Sequence, residues 1–454
     1  MANPSSSAVP GDRADRPAKA HSALRKVATA SVIGSTLEWY DFFLYATASA
    51  LVLGPVFFPN EDPAIGTLLS FATFGVGFAA RPIGSIIFGT IGDRLGRKPA
   101  LVATLILMGI STALIGLVPG YDTIGVAAPI LLVVLRLLQG LGAGAELAGA
   151  TIFASEYAPR NRRGLFGSIA TIGTYSGTVL SSVVFALFSL MPSDAFLAWG
   201  WRIPFLLSLV VVGVGMYIRL RLDETPEFKK VERSAQIAKV PLVDVFRYEW
   251  RSVLLVIGIV AGAFTATYAY QTYSLSYMKT VLGITSSIGT LAVACAAFLA
   301  MFMVPLMGAL SDRVGRRPVL ITGCLISAAF AFPFFMLLNT GDDVLIILAM
   351  IGGIGIGVPV ILGVQGVLLS ELFSTKNRFT GFSVSREIGS IAFAGATPFV
   401  AASLVTAADG QSWPVSLYVI GACLITLVTA LVMREPAPLA EADGTKASTS
   451  AAIA

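Results

Sequence analysis

The chain has 454 residues, 56% hydrophobic and only 13% charged, about half the charged share of a soluble domain. A mean hydropathy of +0.81 excludes an ordinary soluble protein, and the net charge of +5 says little about nucleic acid where charge placement matters more than its sum. The single histidine, His21, and the three cysteines, Cys295, Cys324 and Cys423, have no metal or disulfide spacing, so neither a metal nor a cofactor is expected.

Residues 1–26 read as a polar cytosolic tail, with no apolar core like that of a signal peptide. Twelve apolar segments follow, at 27–53, 65–91, 99–119, 126–155, 165–190, 202–220, 251–279, 285–310, 318–338, 344–371, 380–405 and 413–433. Each is long enough to cross a bilayer, and helices are expected because no alternating barrel pattern occurs. The organisation is six spans over 27–220, a polar linker at 221–250, six spans over 251–434 and a tail at 435–454. Arginines and lysines gather on one side: in the first tail, at Arg94, Arg97 and Lys98, at Arg160–Arg163, at Arg313–Arg317, and at Lys376 and Arg378. Acidic loops lie on the other side, so both termini are expected in the cytosol of a multi-pass cell-membrane protein.

The first span contains GSTLEWYDFFLY, Gly34–Tyr45. Ionisable groups inside a membrane are costly and point to function. Glu38 and Asp41 stand three residues apart, about 60° around a helix, and share a face. Two close carboxylates do not readily ionise together in a low dielectric, so one is expected to hold a proton. With His21 in the tail, these acids are the candidates for proton coupling, Asp41 foremost. Tyr40 between them is a candidate for a substrate cavity.

Arg81 in the second span is expected in a structural or gating ion pair. Arg136 in the fourth span, with Gln139, is the candidate ligand for a substrate anion, because a dry guanidinium binds carboxylates bidentately. Glu146, and the adjacent Arg386 and Glu387 of the eleventh span, are the remaining buried charges. Arg386 and Glu387 are about 100° apart on a helix and need not pair with each other. In the seventh span, Tyr270, Tyr273 and Tyr277 form one stripe, either an interfacial aromatic belt or a cavity wall. Glycines at Gly140, Gly142 and Gly144 and at Gly352–Gly357 lie within spans with no strand before them, which speaks for packing and against nucleotide binding.

The sequence also repeats. GTIGDRLGRKP (Gly89–Pro99) returns as GALSDRVGRRP (Gly308–Pro318), each after the second span of a half. Gly89, Asp93, Arg94, Gly96 and Arg97, and Gly308, Asp312, Arg313, Gly315 and Arg316, are therefore candidate gating residues, with the aspartates suited to bonding helix N-termini. A parallel repeat of six-helix halves points to a rocking transporter.

These duplicated loops resemble the signature of the major facilitator superfamily, as Arg136–Gly144 resembles its fourth-helix motif. LEWYDFFLYATASALVLGPVFFP, FATFGVGFAARPIGSIIFGTIGDRLGRK and WGWRIPFLLSLV resemble the metabolite:proton symporter family within it. The resemblance implies an all-α fold of twelve transmembrane helices in two pseudo-symmetric halves. It implies no enzyme, but a proton-coupled importer of organic acids such as shikimate or dicarboxylates, working as a monomer on a small molecule and protons. An osmolyte symporter of the betaine or proline type, a proton-driven efflux antiporter and a metabolite receptor that moves nothing remain as alternatives.

Overall fold

The computed structural model describes residues 15–95, 97–144, 151–152, 158–221, 242–374 and 377–433, with side chains from residue 32 onward except at 89, 92–95, 97–98, 160 and 218–221. Among the described residues the main helices, in chain order, are α1 (Asp15–Leu51), α2 (Pro63–Leu95), α3 (Arg97–Leu117), α4 (Ala127–Ala143), α5 (Arg163–Phe188), α6 (Arg202–Arg221), α7 (Trp250–Thr280), α8 (Ser286–Val314), α9 (Arg316–Leu338), α10 (Asp343–Glu371), α11 (Arg378–Ala407) and α12 (Trp413–Val432). Backbone groups in lipid must be satisfied within the segment, and a helix does that for the described part of each apolar run. Nine of the described helices are long and apolar enough to span a membrane, and a tenth span is α6 with the bent turn Ser193–Gly200 before it. The other two are α1, whose tail-side half is polar, and the short α4. Much of the linker, 222–241, lies outside the described residues; Leu242–Tyr248 is a short helix leading into α7.

The polarity is arranged for a bilayer. Large apolar side chains such as Phe298, Phe302, Met336 and Val428 are exposed, whereas Glu38, Asp41, Arg81, Arg136, Arg386 and Glu387 are buried. Helices α1–α6 pack chiefly on one another, as do α7–α12, and the two sets meet where α5 lies along α8 and α2 along α11.

At the end carrying the chain termini, α5 and α8 touch backbone to backbone. A Cβ on Gly164 would stand 2.3 Å from the Gly308 carbonyl oxygen. Asp312 completes the contact, accepting from the amides of Gly164 at 2.7 Å and Leu165 at 3.0 Å. It fills the first-turn vacancy of α5 in the way a cap does. Arg316 holds that aspartate at 2.7 Å and reaches Glu371 of α10 at 3.6 Å. Gly315 has φ 96°, a conformation that favours glycine. Arg313 is exposed and stands outside this knot. In the first copy of the motif, Gly96 and the side chains at Gly89, Asp93, Arg94 and Arg97 lie outside the description.

At the opposite end, Lys279 of α7 donates to the carbonyl of Leu51 in α1, and Tyr273 of α7 meets Phe71 of α2 with ring centroids 6.5 Å apart. The two sets of helices are thus in contact at both ends.

Candidate functional site

The two acids of α1 serve different networks. Asp41 turns to α3 and α6, where the Ser208 hydroxyl of α6 donates to Oδ1 at 2.5 Å. Gln139 of α4 ties this group together, donating to Thr112 Oγ1 at 2.7 Å and to the Asp41 carbonyl at 3.4 Å. Among the described residues no arginine or lysine pairs with Asp41.

Arg136 is fully buried beside this network. It donates to Gln139 Oε1, and to the Phe74 carbonyl at 3.5 Å. Its guanidinium lies over Tyr45 at 4.2 Å, Phe42 at 4.8 Å and Phe74 at 5.1 Å. Aromatic faces attract a cation in this way.

Glu38 faces the other way, toward Arg81 of α2 at 3.6 Å. Arg81 also meets Glu387 of α11 at 2.8 Å, and Glu387 meets Arg386 at 2.6 Å. Pairing lowers the cost of burying charge, and these two acids and two arginines are linked from α1 to α11. Arg81, expected in a structural or gating ion pair, is paired here with Glu38 and Glu387. Although Arg386 and Glu387 are neighbours in the chain, they do pair, because the long arginine side chain wraps back to its neighbour's carboxylate.

A small cavity of about 50 Å³ lies against this chain of charges, between the two sets of helices. Its polar lining includes Thr151 beyond the end of α4, Thr171 and Thr174 of α5, Thr267 of α7, Gln365 of α10 and Arg386 of α11. Its aromatic lining includes Trp39 and Phe43 of α1 and Phe264 and Tyr268 of α7. Arg386 Cζ sits 5.2 Å from the Phe264 ring centroid. The cavity can therefore offer a guanidinium to an anion, hydroxyls and an amide to polar substituents, and aromatic surface to the body of a small molecule.

The structure places several of the sequence candidates away from this cavity. Arg136 and Gln139 do not line the cavity; Phe42, Tyr45 and Phe74 surround the arginine. Tyr40 is bound away from it, its hydroxyl donating to the Pro204 carbonyl at 2.8 Å. Tyr270 stacks on Phe334 at 4.2 Å within the second set of helices, and Tyr273 belongs to the contact with α2 at the far end. The cavity tyrosine is Tyr268, off the stripe of Tyr270, Tyr273 and Tyr277. A π-helical turn at Ala269–Tyr273 shifts the register there, so a 3.6-residue stripe misassigns the face. Tyr268 and the Thr171/Thr174 pair were missed; the threonines recur at i and i+3 with Thr178 one turn on, a polar stripe in an apolar helix that marks the face. Glu146 lies outside the described residues.

A family model described as Major Facilitator Superfamily matches residues 33–358 and 260–454. The chain is 38% identical over 417 residues to the shikimate transporter of Escherichia coli (strain K12), spanning 91% of this chain and 95% of that protein. It is 37% identical over 424 residues to the proline/betaine transporter of the same strain, spanning 91% and 84%. The xylose transporter XylE from E. coli, in a partially occluded inward-open conformation, is similar with a TM-score of 0.69 at 17% identity, over 91% of this chain and 97% of that one. That last likeness speaks to the fold alone.

Proposed function

The chain belongs to the major facilitator superfamily and is a multi-pass membrane transporter of metabolites, and from that premise we propose that it imports a small carboxylate-bearing metabolite together with protons by alternating access. The observation that carries this reading is Arg386, a guanidinium on the wall of a cavity lined by helices of both halves. A substrate carboxylate binds it in a dry setting, where a bidentate charge-assisted pair is strong. Thr171, Thr174, Thr267 and Gln365 bond the substrate's hydroxyl or carbonyl groups, and the aromatic wall takes its apolar face. The substrate is a small organic acid.

Asp41 is the proton site. Its carboxylate is bonded by the Ser208 hydroxyl and its carbonyl by the Gln139 amide, and a carboxylate buried without a cation is costly to keep charged. Its ties run to α3, α4 and α6, so a change of charge there is felt through the first half. Both termini lie in the cytosol, and the halves 27–220 and 251–434 rock about the cavity. Glu38, Arg81 and Glu387 connect them across it.

A second reading, an osmolyte carrier for a betaine- or proline-type zwitterion, draws support from the aromatic lining and from the 37% identical relative. A zwitterion also presents a carboxylate to Arg386, and the two readings differ in what meets the other end. Uptake of shikimate, proline and glycine betaine into proteoliposomes under an inward proton gradient separates them. Accumulation of an organic acid that a protonophore abolishes supports import by symport. Binding without flux assigns a receptor, and exit against the proton flow assigns an antiporter.

A further inference from the structure

The four charges Glu38, Arg81, Glu387 and Arg386 straddle the seam between α1–α6 and α7–α12, and they divide across it evenly. Arg81 has Glu38 on its own side at 3.6 Å and Glu387 across the seam at 2.8 Å. Glu387 has Arg386 on its own side at 2.6 Å. Parting α2 from α11 breaks the Arg81–Glu387 pair and leaves one acid and one arginine on each side. Neither side is then left with a lone buried charge, the costly outcome when one partner of a buried pair is removed.

Among the described residues, two further groups from other places in the fold face this cluster and carry no charge that alters the count. Tyr268 of α7 faces the cluster, and Ser390 donates to Glu387 Oε2 at 3.1 Å. Arg136 of α4 lies beyond Phe42, whose ring is beside both Arg81 and Arg136.

Arg386 is also the guanidinium of the cavity wall, and among the described residues Glu387 is the carboxylate that holds it. We propose that Glu387 is a positioning residue that stands in for the substrate carboxylate. In the empty carrier it neutralises Arg386, so the halves close with no cargo. A bound substrate carboxylate takes its place at Arg386, Glu387 then shares Arg81 with Glu38, and the co-transported proton offsets the added negative charge. This rests on the reading that the substrate's carboxylate binds Arg386, and adds to it the means by which the empty carrier returns. It makes the protein capable of net uptake as well as exchange. Without Glu387, closing the empty carrier would bury Arg386 unpaired.

The test needs no substrate, so its failure leaves the transport reading standing, and an absence of uptake defeats that reading whatever this test shows. Spin labels are placed on loops at each end of both halves, in a background carrying Cys295→Ser, Cys324→Ala and Cys423→Ala. Distances are then read in purified empty carrier in lipid nanodiscs. Glu387→Gln lowers the population closed at both ends by about tenfold or more. The double variant Arg386→Gln/Glu387→Gln closes again, although it still lacks the Arg81–Glu387 pair, because no arginine is stranded. Acetate at high concentration restores closure of Glu387→Gln by supplying the missing carboxylate. Arg386→Gln alone closes at least as well as the parent and serves if Glu387→Gln does not fold. A Glu387→Gln carrier as closed as the parent, a double variant as open as the single one, or an open Arg386→Gln carrier overturns the proposal.

Discussion

The contact of Gly164 with Gly308 gives a prediction whose size follows from the geometry. In Gly164→Ala the new Cβ would stand 2.3 Å from the Gly308 carbonyl oxygen and 2.6 Å from Ser311 Oγ. The serine can rotate away. A helical carbonyl cannot, so α5 and α8 must part by about 1 Å to reach an ordinary C···O separation of about 3.3 Å. Such a shift stretches the Asp312 bonds to the Gly164 and Leu165 amides, now 2.7 and 3.0 Å, beyond hydrogen-bonding range. Overpacking costs about 1–3 kcal/mol, and the strained contact exists only while this end is closed. At about 1.4 kcal/mol per decade, the balance moves about 5- to 150-fold toward the form open at the terminal-bearing end. Spin-label distances across that end, and labelling of a cavity cysteine such as Thr174→Cys in a cysteine-free background, both read the shift. An Ala variant with the parent's distances and labelling rate would refute the reasoning that this contact closes the gate.

Other substitutions address separate parts of the assembly. Arg386→Lys keeps the charge but loses the planar fork, and is expected to cut uptake about tenfold or more, chiefly through a raised KM for the carboxylate substrate. Asp41→Asn should abolish accumulation driven by a pH gradient while leaving substrate binding measurable by thermal shift; intact pH-driven accumulation in that variant removes Asp41 from the coupling. Lys279→Met removes the donor to the Leu51 carbonyl at the opposite end. A hydrogen bond from a charged group contributes about 1.5–3 kcal/mol, so the same distance measurement there should show opening by about tenfold, in the direction opposite to Gly164→Ala. Tyr268→Ala opens the aromatic wall and should weaken substrate binding, whereas Tyr270→Ala should lower thermal stability and leave affinity unchanged, since Tyr270 packs on Phe334 away from the cavity.

The twelve helices could be read from the chain because lipid leaves an apolar run no other way to satisfy its backbone. The Asp312 contact could be read too: a duplicated Gly-x-x-x-Asp-Arg loop needs a glycine where two helices touch and an acid where a helix begins. The cavity was harder. Which face of α7 looks inward depends on one π-helical turn, and that moved the tyrosine from Tyr270 to Tyr268. Glu38 and Asp41 share a face by spacing, yet about 60° of rotation is enough for Asp41 to reach Ser208 on α6 while Glu38 reaches Arg81 on α2. Arg136 and Arg386 look alike as buried arginines in a sequence. Only tertiary packing puts one behind three aromatic rings and the other on the cavity wall. The neutral division of the four charges across the seam likewise depends on α2 lying against α11.

The central claim is that a carboxylate-bearing metabolite moves with protons through the cavity at Arg386. The most direct measurement follows substrate and proton influx together in proteoliposomes, with a trapped pH dye, for the parent and Arg386→Gln. Probes are shikimate, proline and glycine betaine. Proton influx that accompanies one of these probes in the parent and vanishes in Arg386→Gln is the predicted result. Accumulation with no accompanying proton, or equal uptake by the two proteins, contradicts it.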